Sequence, residues 1–92
     1  MSRRDELATN LASVQARITN PNVTLIVVTK TYPVSDVQIL SELGITHFGE
    51  NRNEEGLEKS SVIDATWHYQ GEIQSRKLRD IAQWANVIHS LD

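Results

Sequence analysis

"VTLIVVTK", residues 23–30, is β-branched and nearly continuous in apolar side chains until it ends in a lysine. Such a run is expected to be a strand covered on both faces, the kind found in parallel sheets. Its last residue poses a choice, because an ammonium group is costly to bury. Either the stem of Lys30 covers apolar surface while its charge reaches water, or its amine is wanted in a dry place for chemistry. In the second case a desolvated, uncharged amine can condense with an aldehyde.

Outward from that strand, elements alternate. Upstream, Leu7, Leu11, Val14 and Ile18 recur at helical spacing with Ala8 and Ala12 beside them, and Thr19-Asn20-Pro21-Asn22 stops the helix. Downstream of Tyr32-Pro33, a second helix is marked by Val34, Val37, Ile39, Leu40 and Leu43, with Gly44 suited to its cap. A short strand is expected over 45–48, with Gly49 turning the chain. A helix over 51–59 follows, weakened by Gly56 in its interior. Residues 60–65 form a connector, 66–70 a third strand, and Gly71 breaks the chain. Leu78, Ile81, Ala82, Trp84 and Ala85 mark another helix, Asn86 ends it, and 87–89 begins a fourth strand. Strict strand-helix alternation at this spacing implies βαβ units with right-handed crossovers and a parallel α/β sheet.

The bulk composition excludes several classes. Ninety-two residues allow one domain with a thin core. The absence of cysteine removes disulfides, thiolate metal sites and cysteine nucleophiles, and agrees with a cytoplasmic setting. Nine Lys and Arg against twelve Asp and Glu give a net charge of −3 with no basic block. Nucleic acid and anionic membrane are therefore not expected partners, although one small anion could be held locally. The N-terminus lacks the apolar core of a secretory signal, and no stretch is long enough to span a membrane.

The unusual polar residues gather at strand ends. Lys30 follows the first strand, Glu50, Asn51 and Arg52 the second, His68, Gly71 and Gln74 the third, and His89, Ser90 and Asp92 the fourth. In parallel α/β folds ligands bind at the carboxyl edge, where different strand ends converge. Each residue also has an ordinary role open to it. Glu50 and Asn51 could simply cap the next helix. His68, between two aromatics, could be a packed, hydrogen-bonded core residue. His47, His68 and His89 are spaced 21 residues apart, but His47 lies deeper in its strand, which makes a common pointing direction doubtful and a metal site unexpected. Ser90 has no nucleophile-elbow context.

Four ordered motifs, "VVTKTYP", "FGENRNEE", "WHYQGEIQSRK" and "VIHSLD", resemble the YggS/PROSC family, the pyridoxal phosphate homeostasis proteins. The resemblance implies a (β/α)8 TIM-type barrel related to the barrel domain of alanine racemase. It implies pyridoxal 5′-phosphate held as a Schiff base on the lysine after the first strand, here Lys30, with Asn51 beside it and His68 near the same mouth. It implies no catalytic residue and a role in buffering the cofactor or delivering it to pyridoxal phosphate-dependent enzymes. Arg76 replaces an asparagine usual in the family. A full barrel needs about 250 residues, so residues 1–92 are expected to be the N-terminal part of one barrel, without a second domain. The phosphate cup, which the family builds largely from loops after late strands, would lie outside this stretch. Two alternatives remain open: a racemase-like enzyme on the same scaffold, and a non-catalytic fragment whose unpaired edges make it a homo-oligomer.

Overall fold

A computed structural model describes residues 2–71 and 77–89. The element order is α1 (Arg3–Arg17), β1 (Val27–Val28), α2 (Val34–Glu42), β2 (His47–Glu50), α3 (Asn53–Val62), β3 (Thr66–Gln70), α4 (Leu78–Trp84) and β4 (Val87–His89). The strands form one parallel sheet in the order β1-β2-β3-β4, as expected of repeated right-handed βα units. Helix packing marks one face of the sheet. Phe48, Trp67 and Tyr69 are buried there with Val37 and Leu40 of α2 and with Ile81 and Trp84 of α4. Period-two alternation sends His47, Gly49, His68, Val87 and His89 to the opposite face. No helix among the described residues is long and apolar enough to cross a membrane.

Two expected strands move. The first ladder contains only Val27 and Val28; β2 opposite it begins at His47, so residues 23–25 run past the end of their partner. The Thr29 N–H extends the pairing by donating to the Gly49 carbonyl at 2.9 Å. Cover on both faces is not found either, since Val23 and Val28 are 52% and 42% exposed. The second strand lies two residues later than expected. Ile45 donates its N–H back to the Leu40 carbonyl and finishes α2 instead of entering the sheet. Gly49 accordingly sits inside the ladder, where a Cβ would lie 3.3 Å from Gln70 Oε1 and 3.5 Å from Ile26 Cγ2.

The remaining elements follow the sequence more closely. Helix α1 starts on Ser2, whose hydroxyl accepts from the Asp5 N–H, and Arg3 fastens it to α2 through Asp36. Helix α3 extends to Val62, into the expected connector. Gly56, a weak point for an isolated helix, is required here: a Cβ would fall 2.3 Å from the Trp84 ring carbons. The same tryptophan donates its indole N–H to Asn53 Oδ1 at 2.8 Å, locking α4 onto α3. Helix α4 ends at Trp84 with Ala85 as its C-cap, one residue before the expected Asn86, which instead ties the helix end to β3. The Asn86 side chain accepts from the Trp67 N–H, and its own N–H donates to the Trp67 carbonyl.

Candidate functional site

Lys30 stands exposed at the carboxyl end of β1, in a turn that also contains Thr31. The Tyr32 N–H donates to the Thr29 carbonyl at 3.0 Å and closes that turn. Thr31 has φ +69°, the only described residue besides glycine with a positive value. For a β-branched side chain this conformation costs roughly 1–2 kcal/mol. Such strain persists where the surroundings over-determine it, and it gathers at functional sites.

The surroundings here are a buried ion pair. Lys59 of α3 reaches down to the sheet and donates to Glu50 Oε2 at 2.5 Å and to the Thr29 carbonyl at 2.7 Å. The Thr29 hydroxyl also donates to Glu50 Oε2. Glu50 and Thr29 are fully buried, and Lys59 is 3% exposed. A second carboxylate, Glu55, lies 3.8 Å from the ammonium, while Glu50 Oε1 has no hydrogen-bond partner. The expectation that Glu50 follows its strand and caps a helix is thereby corrected. Glu50 belongs to β2 and faces the helices, because a buried lysine needs its charge there. The sequence carried a signal for this. Gly56 and Lys59 of α3 and its C-cap Ile63 fall at helical spacing in one buried row, and a lysine in that row has to be paired.

Asn51 is exposed immediately after β2 and does not cap α3, whose N-cap is Arg52 without a side-chain bond. Val28 pairs with Gly49, and Lys30 and Asn51 each lie two residues beyond that pair, so they end neighbouring strands at one level. His68 pairs with Gly49 one layer below. All three candidate residues therefore belong to adjacent strands, two at the edge and one beneath it.

His68 is not alone, and the doubt over a common direction is resolved against the expectation. His47 Nδ1 lies 3.0 Å from His68 Nε2, and His68 Nδ1 lies 3.0 Å from His89 Nε2. Ring centroids are 5.3 Å apart at both contacts. Each histidine sits two residues further along its strand than its neighbour's register partner. The chain of imidazoles thus climbs diagonally from the lower sheet to the level of Gln70, whose partner is His89. The equal spacing that marks one βα unit is also what places the rings within reach. Both nitrogens of His68 are engaged, so the three rings cannot converge on one point. Among the described residues no cluster is arranged to hold a metal ion. Burial, and then the neighbouring His47 and His89, hold the pKa of His68 below its ordinary value of 6.5. Gln74, Arg76, Ser90 and Asp92, also singled out above, lie outside the described residues.

Four parallel strands with helices on one face and a polar carboxyl edge are the wall of an α/β barrel of the kind that binds ligands at strand ends. Residues 3–92 match the family model described as "Alanine racemase, N-terminal domain", and the chain belongs to that family. It is 46% identical over 72 residues to a pyridoxal phosphate homeostasis protein of Corynebacterium glutamicum, covering 77% of this chain and 33% of that one. A protein of the same name from Mycobacterium leprae is 32% identical over 111 residues, covering 98% of this chain and 43% of the other. Among solved structures, PipY of Synechococcus elongatus with pyridoxal phosphate bound superposes with a TM-score of 0.84 at 37% identity. That alignment covers 94% of this chain and 42% of PipY, and the form without the cofactor gives a TM-score of 0.85. The sheet is thus the first part of a TIM-type barrel, and the resemblance to the YggS/PROSC family holds. The chain spans between a third and somewhat over two-fifths of the relatives' lengths.

Proposed function

We propose that residues 1–92 form the amino-terminal part of one pyridoxal phosphate-binding barrel, in a protein that buffers or supplies this cofactor in the cytoplasm. Lys30 is the residue that holds it. The observation that carries the reading is the placement of Lys30: an exposed amine on a strained turn at the carboxyl end of β1. The structurally similar PipY was solved with the cofactor in place.

The residues present suit one end of that molecule. Pyridoxal phosphate supplies an electrophilic aldehyde on an electron-withdrawing pyridine ring. Lys30 offers an unburied amine to the aldehyde carbon, and attack by its uncharged form expels one water with no change of oxidation state. Asn51, exposed one strand away at the same level, offers an amide donor and acceptor to the ring substituents. His68, one layer lower, supports the floor through its two imidazole partners. No anion cradle is assigned to these residues, so binding by this stretch alone is expected to be weak.

Treatment with pyridoxal phosphate and then borohydride should leave the reduced label on Lys30, located by peptide mapping. Label on another lysine, or none with the fold intact, would reject the assignment. The alternative, a racemase, would need an acid-base group on each face of the substrate carbanion, whereas a carrier needs none. Alanine incubated with the protein and cofactor in deuterium oxide should keep its α-proton; prompt exchange would favour an enzyme. Finally, Val28, Val87 and Ile88 of the outer strands are exposed. The 92-residue chain by itself is accordingly expected to self-associate, and a sedimentation profile of a compact monomer would contradict that.

A further inference from the structure

We infer that the buried Lys59–Glu50 pair is the positioning device of the Lys30 turn: it fixes the Thr29 carbonyl and so holds Thr31 in its left-handed conformation. The inference rests on the reading of Lys30 as the amine that holds the cofactor, and it assigns a role to two residues that never reach the open edge. Three observations converge on it. The Thr29 carbonyl is bonded twice, by the Tyr32 N–H from within the turn and by Lys59 Nζ from the helix layer. The Thr29 side chain is held as well, its hydroxyl against Glu50 Oε2 and 3.4 Å from the Gly49 carbonyl. The residue immediately before Lys30 is therefore anchored at its N–H, its carbonyl and its side chain, all in fully buried surroundings. The residue immediately after Lys30 carries the strain.

A lysine inside a helix-sheet interface is an expensive way to fill space, and an apolar residue of similar volume would pack there without desolvating two charges. What the ammonium provides and an apolar side chain cannot is a directed donor to one carbonyl. That donor is rigid because Glu50 and Glu55 hold it from two other sides. With the carbonyl fixed, the peptide between Thr29 and Lys30 cannot rotate to relieve Thr31, and Lys30 leaves the strand in one direction only. Without it, the turn relaxes to a conformation with negative φ at Thr31, and the amine samples a wider arc.

The test compares the whole chain with a variant in which both partners change together, Glu50→Gln with Lys59→Met, so that no bare charge is left inside. Each is made with and without Thr31→Gly, since glycine adopts positive φ at little cost. Two quantities are read: hydrogen exchange of the Tyr32 amide, and the ratio of borohydride-fixed pyridoxal phosphate on Lys30 to that on exposed Lys77. Circular dichroism and the fluorescence of Trp67 and Trp84 report that each variant is folded. Removing the pair should speed Tyr32 exchange about tenfold or more and lower the Lys30:Lys77 ratio about threefold or more. In the Thr31→Gly background the same removal should change both much less. Equal losses in the two backgrounds would mean that the pair only packs the interface, and unchanged exchange would remove the clamp altogether. Should the wild-type chain show no preference for Lys30 over Lys77, the cofactor reading fails. The amide-exchange arm still decides the clamp.

Discussion

Two lysines of this chain, Lys30 and Lys59, occupy environments opposite to those their sequence neighbours suggest. Lys30 ends an apolar, β-branched run and looks destined for the interior, yet it is exposed. Lys59 sits in "NEEGLEKSSV", a polar helix with carboxylates around it, and is buried against the sheet. The difference comes from geometry that composition does not record. A strand delivers its terminal residue beyond the ladder, where the edge is open, whereas a helix rotates one residue in every three or four onto its packing face whatever its chemistry. A buried lysine needs a counter-charge, and Glu50 supplies it from the preceding strand. The lesson is that the unusual charge to look for is the one on the buried side of a helix, three or four residues from a core position.

Single substitutions sharpen that contrast. Lys59→Ala leaves the Glu50 charge without its cation in the interior and should cost about 3–5 kcal/mol, a large fraction of the roughly 5–15 kcal/mol that stabilises an ordinary domain. Urea unfolding that shifts by less than about 1 kcal/mol would show that water or a neighbour replaces the ammonium, and the two lysines would then differ only in exposure. Gly56→Ala tests the packing that brings α3 close enough for Lys59 to reach the sheet. Its Cβ would meet the Trp84 ring at 2.3 Å. Overpacking of about 1–3 kcal/mol should outweigh the gain of about 1 kcal/mol in helix propensity. A stabilised variant would mean that Trp84 moves aside freely, which quenching of its fluorescence would report.

How much of this was legible follows from what each signal depends on. The strand-helix order was readable because it rests on periodicity within single segments: 66–70 and 87–89 were placed to the residue. The starts of β1 and β2 were not, because a strand begins where its neighbour begins. Ile45 looks like a strand residue until the Leu40 carbonyl claims its N–H. Gly56 looked like a defect because the Trp84 ring that requires it lies 28 positions away. Of the three candidate site residues, Lys30 and Asn51 fell at adjacent strand ends because motif order and sheet order coincide in a parallel βα fold. The imidazole chain was missed because a diagonal contact needs the register as well as the spacing: His47 is deeper in its strand by two residues, and that offset is what brings Nδ1 to its neighbour's Nε2.

The face that carries the imidazoles should respond to acid through His68. The folded chain holds the His68 pKa below 6.5, so between that lowered value and 6.5 the unfolded chain binds a proton that the folded one refuses. Stability contributed by neutral His68 is therefore complete above pH 6.5 and declines as pH falls toward the lowered value. Urea midpoints compared at about pH 7.5 and about pH 5.5 should drop on acidification, and His68→Gln should remove part of that drop. An identical drop in the variant would assign the acid sensitivity to carboxylates instead.

The smallest effect completes the contrast between the lysines. Lys30→Met removes an exposed amine that makes no hydrogen bond or ion pair among those described, and substitutions at such sites stay within about 0.5 kcal/mol. Its apolar stem keeps whatever cover the lysine stem gave, so the midpoint of unfolding should hardly move, while the cofactor label at this position must vanish. The two outcomes belong together. An unchanged midpoint with loss of the label would support the proposed role of Lys30, an exposed residue beside the strained Thr31. If Lys30→Met destabilised the protein as much as Lys59→Ala, the turn would be part of the core, and the strain at Thr31 would reflect packing with no bearing on a ligand.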